Sequence, residues 1–172
     1  VDMQALSLSI PNVFFEDRAV AVALAQSTNE ALADICRKHP RRFKALASVP
    51  LPHVDEAIVE MRRAVENLGM HGLVLGSNIN TRPLDSPEFM PLYEEADRLG
   101  LAIFIHPMIP MGIESLGVYD LAAGAGFLLD TTVAAARLAY SGVLERCRNL
   151  KVIIPHLGGV IPYIIKRLDN SY

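Results

Sequence analysis

Apolar residues along the chain follow two different spacings, which predicts strands separated by helices. Short, nearly continuous apolar runs are typical of buried strands, and we predict five of them at residues 3–9, 44–49, 72–76, 101–106 and 151–156. Between the runs, apolar positions recur at helical spacing, which predicts helices over residues 17–39, 55–68, 87–99 and 127–148 and a last helix from about residue 160. The sequence therefore predicts five strand–helix units.

Strands that alternate with helices predict a parallel α/β sheet covered on both faces. A doubly wound nucleotide-binding sheet usually carries a glycine-rich turn after its first strand, and residues 7–12 contain no glycine. The pattern thus favours a (β/α)₈ TIM-barrel type of fold. Such a barrel takes about 250 residues, so 172 residues predict either an open sheet or a partial barrel, which we take as a single domain over residues 1–172.

Composition narrows the classes of partner. The net charge is −3, which argues against a nucleic-acid partner. No apolar stretch reaches the roughly 18 residues that span a bilayer, and the first residues do not resemble a signal peptide, so we expect a cytoplasmic protein without a membrane partner. Cys36 and Cys147 stand alone and are expected to be reduced packing residues.

Two histidines stand where predicted strands end. His106 closes the run at residues 101–106, and His156 closes the run at residues 151–156. Parallel α/β folds place their chemistry at the carboxyl ends of strands. Both are therefore the leading candidates for a site, although a histidine there can also simply bond to loop backbone. His39, His53 and His71 lie before strands or at a helix start, where a structural role is favoured.

Eight short motifs occur in an order that matches one protein family. They lie at residues 40–43, 49–51, 68–73, 84–93, 104–107, 141–146, 149–152 and 155–159. Together they resemble the amidohydrolase-related family that includes aminocarboxymuconate-semialdehyde decarboxylase and γ-resorcylate decarboxylase. The resemblance implies a metal-dependent (β/α)₈ barrel that acts on small carboxylated, often aromatic, substrates.

The resemblance also implies roles for the two histidines. In that family a His-x-His pair on the first strand, a histidine on the fifth and an aspartate on the eighth bind the metal. His106 matches the histidine of the fifth strand, and His156 matches a proton-transferring histidine at the end of the sixth. The five strands would then be the second to the sixth. The implied cofactor is a divalent metal, with Zn²⁺ favoured over Mn²⁺. This sequence contains no His-x-His, so we expect the other ligands in a longer parent chain.

Several further residues are candidates for a pocket at the strand ends. Asn78 follows the third strand and Met108 follows His106; we predict that both contact substrate, and Met111 is a second candidate for an apolar wall. Turn chemistry competes with a pocket role for Ser7, Ser9, Ser77 and Asn80. Gly158 and Gly159 allow either an anion site or a tight, closely packed turn. The glycine-rich loop at residues 107–126 is long enough for a lid, with a disordered insertion as the alternative.

Three functions stay open at this point. The first is a metal-dependent decarboxylase of a small aromatic or muconate-like acid, which the resemblance favours. The second is a metal-dependent hydrolase on the same scaffold, in which His156 assists the attack of water. The third is a catalytically incomplete fragment. Because an open sheet leaves apolar edges unpaired, we also expect self-association, and a homo-oligomer is predicted.

Overall fold

The chain folds as parallel strands connected by helices. The computed structural model describes residues 1–110 and 112–171, so Met111, a predicted pocket residue, lies outside the described residues. The strands are β1 (Gln4–Leu6), β2 (Phe43–Ala45), β3 (Gly72–Gly76), β4 (Asn78–Ile79), β5 (Arg82–Pro83), β6 (Ala102–His106) and β7 (Lys151–Ile153). The helices are α1 (Arg18–Lys38), α2 (Val54–Glu66), α3 (Met90–Arg98), α4 (Ile113–Leu116), α5 (Phe127–Tyr140), α6 (Val143–Arg146), α7 (Pro155–Gly158) and α8 (Ile161–Asp169). No helix in the described part of the chain is long and apolar enough to cross a membrane.

Five parallel strands lie side by side in chain order. β1 pairs with β2, and β6 pairs with β3 on one side and β7 on the other, all in parallel. A single bridge between Ala47 and Leu73 joins the segment after β2 to β3. The parallel α/β architecture predicted from the sequence is therefore confirmed. β4 and β5 form a small antiparallel hairpin that follows β3 and was not predicted.

The core lies where the central strands are covered on both faces. All five residues of β3 are buried, whereas in β6 buried and half-buried residues alternate. Strands enclosed by helices are expected to be continuously apolar, as β3 is. α1 packs through a stripe of small residues at every fourth position, which lets it approach closely; the stripe consists of Ala21, Ala25, Asn29 and Ala33. Asp17 begins this helix by accepting a hydrogen bond from the Val20 amide.

Two predicted elements have different ends in the structure. The helix predicted over residues 127–148 is divided into α5 and α6, because Gly142 has a left-handed φ of 79°. The strand predicted over residues 151–156 ends at Ile153, so the prediction that His156 closes a strand is wrong. Pro155 and the left-handed residues that follow it, His156 and Leu157, are incompatible with an extended strand.

A buried carboxylate between two arginines makes stability depend on pH. Glu95 accepts hydrogen bonds from Arg98 and Arg62 at 2.6 Å. These bonds, the one from Arg98 most strongly, lower the pKa of the Glu95 carboxyl to about 2. Because the pKa of Glu95 is lower in the folded protein than its ordinary value of 4.5, the ionised carboxylate stabilises the fold at pH values above 4.5. This stabilisation is lost as the pH falls toward 2. Between pH 5 and pH 2, we expect the free energy of unfolding of Glu95→Gln to fall by on the order of 1 kcal/mol less than that of the wild type. The difference is this small because solvent screens the two arginines, whose side chains are 49% and 60% exposed. Urea unfolding at both pH values measures this difference, and equal losses would contradict it.

Candidate functional site

His106 lies at the carboxyl end of the central strand β6. It is in register with Gly76, the last residue of β3. The ends of these neighbouring parallel strands therefore open on the same edge of the sheet, where α/β folds bind ligands. The His106 side chain is half-buried, so it is accessible without being fully solvated.

A cavity adjoins His106 at this edge. Met108 lines it together with the end of β3 and the segments after β1 and β2; the lining residues are Leu8, Ser9, Asn12, Val13, Phe14, Ser48, Val74, Leu75, Gly76, His106 and Met108. The wall is mostly apolar with a few polar groups, as is usual in small-molecule sites. Of the four predicted site residues, His106 and Met108 share this cavity, while Asn78 and His156 do not line it.

One ring nitrogen of His106 is already engaged. Its Nδ1 lies 2.8 Å from the carbonyl oxygen of Pro107. Because a carbonyl can only accept, Nδ1 carries the proton, and Nε2 of the neutral ring keeps its lone pair. A backbone or carboxylate acceptor on the second nitrogen is the usual setting of a metal-binding histidine. His106 is therefore suited to bind a metal through Nε2.

Met108 is held beside the end of β3. A Cβ atom on Gly76 would lie 2.7 Å from Met108 Cγ, so only glycine permits this contact. The Asn12 side-chain amide donates to the Met108 sulfur at 3.7 Å. The thioether thus forms part of the cavity wall in which the sequence placed it.

Asp130 on α5 meets the strand ends behind His106. Its Oδ2 accepts hydrogen bonds from the Ser77 hydroxyl and, at 3.0 Å, from the Met108 amide. From the sequence, Ser77 was open between a pocket role and a turn role, and Asp130 was not identified. An acidic residue in the first turn of a helix is ordinary, and 53 residues separate it from Ser77, so no local pattern links the two.

Asn78 is used by the hairpin that it begins. Its Oδ1 accepts from the Thr81 amide at 3.1 Å, across a turn in which Asn80 and Thr81 both have positive φ. Such a turn favours asparagine. The amide nitrogen of Asn80 bonds to Glu16, which agrees with its expected turn role. Substrate contact by Asn78 stays a prediction.

His156 lies in a left-handed turn beside the sheet. Its φ is 53°, and Leu157, Gly158 and Gly159 continue with positive φ. Its ring is exposed and makes no hydrogen bond among the described residues. Two nearby amides are occupied, since Gly159 N–H donates to the His156 carbonyl and Val160 N–H to Thr132 Oγ1. These bonds support a tight, closely packed turn at Gly159, and an anion site stays a prediction.

Gly159 provides a test of that packing. A Cβ there would lie 2.4 Å from Thr132 Oγ1 and 2.7 Å from the Leu128 carbonyl oxygen, on a residue with φ of 63°. We expect Gly159→Ala to lower the free energy of unfolding by about 2 kcal/mol, as urea unfolding will show. Gly124→Ala is the matched control, since a Cβ there meets nothing within 4 Å and its φ is not left-handed. Equal stability of the two variants would contradict the packing role.

The loop predicted as a lid is partly helical. It contains α4 and the π-helical segment Ala122–Gly126, which continues into α5. A Cβ on Gly126 would lie 2.9 Å from both Pro110 and Leu116, so the described part of the loop packs closely on the start of α5. This excludes a wholly disordered insertion. Closure over the cavity stays a prediction.

His53, His39 and the two cysteines lie outside this cavity. His53 bonds through Nε2 to the Phe15 carbonyl oxygen, and the His39 ring packs edge-on against Phe43. Both cysteines are free thiols, and burial raises the pKa of each. Across residues 1–110 and 112–171, no three His, Cys, Asp or Glu side chains are placed to hold a metal ion. His106 thus fits one ligand position, and the described residues do not complete the set.

Comparisons with known proteins identify relatives of this chain. The profile of a family described as amidohydrolase matches residues 4–172. The 2-amino-3-carboxymuconate-6-semialdehyde decarboxylase of Dictyostelium discoideum is 36% identical, over 100% of this chain and 48% of its own length. The γ-resorcylate decarboxylase of a Rhizobium species is 32% identical, over 99% of this chain and 55% of its own length. The chain thus spans about half the length of these relatives.

A solved structure shares the fold closely. It is the 5-carboxyvanillate decarboxylase of Novosphingobium aromaticivorans, which superposes with a TM-score of 0.94 at 28% identity, covering 99% of this chain and 50% of the other. That structure holds manganese and 3-methoxy-4-hydroxy-5-nitrobenzoic acid.

Proposed function

Since the chain belongs to the amidohydrolase family, we propose that it forms part of a metal-dependent decarboxylase for a small aromatic or muconate-like carboxylic acid. The observation that carries the proposal is the state of His106, whose Nδ1 is bonded to the Pro107 carbonyl so that Nε2 is left to bind a metal at the cavity. The names of the similar proteins support the reaction class, because they are decarboxylases of carboxylated aromatic or muconate compounds.

We propose a partial (β/α)₈ barrel made of its second to sixth units. The five parallel strands in chain order support this, as do the decarboxylase structures that match over about half their length. The remaining metal ligands would come from a longer polypeptide, since the described residues lack a cluster of three. Self-association stays a prediction that light scattering would test.

The metal is proposed to be Zn²⁺ or Mn²⁺. Imidazole suits zinc well, while the manganese in the similar 5-carboxyvanillate decarboxylase favours Mn²⁺. When bound, such an ion polarises and orients the oxygens of an anionic substrate.

The chain's own residues would hold the substrate and move a proton. Met108 would pack against the substrate in the apolar part of the cavity, with Asn78 at its margin. His156 would deliver a proton to the carbon that loses CO₂, because imidazole exchanges protons near neutral pH. Its exposed ring in the turn next to β6 supports this role.

Two alternatives are separated by experiment. A hydrolase on the same scaffold would use His156 to assist the attack of water. A catalytically incomplete chain is favoured by one observation: among the described residues, no three His, Cys, Asp or Glu side chains are placed to hold a metal ion.

The deciding assay measures CO₂ release from dihydroxybenzoates, carboxyvanillate and aminocarboxymuconate semialdehyde, with Mn²⁺ or Zn²⁺ added. It is run on the 172-residue chain and on the longer parent protein. CO₂ release by the parent supports the proposal. Turnover of lactones or amides without CO₂ would support the hydrolase instead. Activity of the parent but not of the 172-residue chain would support incompleteness of that chain.

A further inference from the structure

The peptide unit between Pro107 and Met108 is held from both sides. On one side its carbonyl oxygen accepts from His106 Nδ1 at 2.8 Å. On the other side its N–H, which belongs to Met108, donates to Ser77 Oγ at 2.9 Å and to Asp130 Oδ2 at 3.0 Å. A single peptide plane therefore connects the His106 ring with Asp130.

Planarity makes these two contacts dependent on each other. The C=O and N–H of a trans peptide point in opposite directions within one rigid plane. The contacts of the Met108 N–H with Asp130 and Ser77 thus fix where the Pro107 carbonyl points. Because that carbonyl lies against Nδ1, it selects the ring form with a proton on Nδ1.

Ser77 strengthens the same arrangement. Its hydroxyl donates to Asp130 Oδ2, which leaves the hydroxyl lone pairs facing the Met108 amide. Its own N–H donates to the His106 carbonyl oxygen at 2.8 Å. Ser77 is 5% exposed, so these bonds are largely shielded from water. A hydrogen bond is stronger in such a shielded site than in water.

We propose that Asp130, together with Ser77, is a positioning residue that sets the tautomer of His106 through the Pro107–Met108 peptide. The consequence is that Nε2 keeps the lone pair, on a ring that lines the cavity. That consequence rests on the proposed function, in which His106 binds a metal. The tautomer itself is a property of the metal-free protein.

The side chain of Asp130 acts as an acceptor. Both contacts use the same oxygen, Oδ2, so an asparagine whose amide oxygen takes that place can accept both hydrogen bonds. Alanine removes this acceptor and leaves Ser77 Oγ alone to hold the Met108 N–H. The pair of variants therefore separates the hydrogen-bonding role from mere occupation of space.

The experiment is nitrogen NMR of the metal-free protein labelled with ¹⁵N at histidine, at a pH of about 8.5, where ordinary imidazoles are neutral. The spectrum of His106→Asn identifies the His106 signals by their loss. We expect wild-type His106 to be protonated mainly on Nδ1. In Asp130→Ala the ratio of the Nδ1–H to the Nε2–H form should fall at least about fivefold, the factor that one net hydrogen bond contributes to an equilibrium.

Three further variants keep the test decisive. Asp130→Asn should retain the wild-type ratio. Ser77→Ala should shift it in the same direction as Asp130→Ala but less, and it remains informative if Asp130→Ala does not fold. Asp85→Ala is the matched control, because Asp85 also bonds to α5, through Arg137, away from the site; it should leave the ratio unchanged.

An unchanged ratio in both Asp130→Ala and Ser77→Ala overturns the proposal. So does an equal shift in the Asp85→Ala control, because the effect would then be a general loosening of α5. The measurement needs neither metal nor substrate. Failure of the decarboxylase assay therefore leaves this result standing, and an unchanged tautomer leaves the decarboxylase proposal standing.

Discussion

Replacing His106 by asparagine is expected to lower the proposed decarboxylase activity, measured on the longer polypeptide, at least about 100-fold. Even residues that only orient a metal ligand change metal affinity or activity by about 10–100-fold when they are replaced. Loss of a direct metal ligand should lower activity by more than the loss of such an orienting residue. His106 lies at the cavity with Nε2 free, so its loss should also reduce bound metal. Rates of CO₂ release and metal content per chain measure the two effects.

His71→Asn is the matched control for this variant. His71 is exposed and precedes β3, at the opposite end of the strands from the site. It should retain wild-type activity and metal content. Full activity of His106→Asn would rule out His106 as an essential ligand, and an equal loss in His71→Asn would point to a general effect on folding.

Replacing Arg63 by methionine is expected to lower the free energy of unfolding by about 3 kcal/mol. Arg63 donates to Glu60 at 2.8 and 2.9 Å, and the Glu60 side chain is only 2% exposed. Without the arginine, a buried carboxylate keeps a single hydrogen bond, from Asn29 at 2.7 Å. A buried charge without its partner is much costlier than the pair. Urea unfolding at pH 7 measures the loss.

Two further variants separate charge from packing. Arg18→Met removes a pair with Glu56 whose members are 69% and 29% exposed, and such a surface pair should cost less than about 1 kcal/mol. Adding Glu60→Gln to Arg63→Met should restore part of the loss, because a neutral amide is cheaper to bury. A loss in Arg63→Met no larger than in Arg18→Met would contradict this account.

This network also supports the site. Asn29 donates to the Ser48 carbonyl and accepts from the Ser48 amide, both at 2.9 Å. Ser48 lines the cavity from the segment that follows β2. The Glu60 network on α1 and α2 therefore fixes one wall of the cavity through Asn29.

The succession of strands and helices along the chain could be predicted from the sequence because it depends on local patterns. The apolar run at β3 and the helical periodicity of α1 and α2 each lie within one short segment. The end of β7 was misplaced because apolar character continues through Ile154, while the backbone turns left-handed at His156. The hydrophobic pattern of a sequence does not show which residues other than glycine adopt a left-handed backbone.

Candidate site residues could be predicted only where the position of a single residue in the sequence identifies it. His106 is identified by its place at a strand end, and Met108 by its place in the following loop. Asp130 was missed because its partners lie 22 and 53 residues away. Such contacts arise from tertiary packing of α5 on the strand ends, which a single sequence does not encode in any spacing.

His106 Nε2 is the proposed metal-binding atom, and paramagnetic NMR tests this most directly. Small amounts of Mn²⁺, well below one per chain, are added to the protein labelled at histidine, and the broadening of each ring signal is followed. We expect the His106 signals to broaden first, before those of His39 and His71. Broadening of His39 or His71 first, or equal broadening of all the rings, would contradict it.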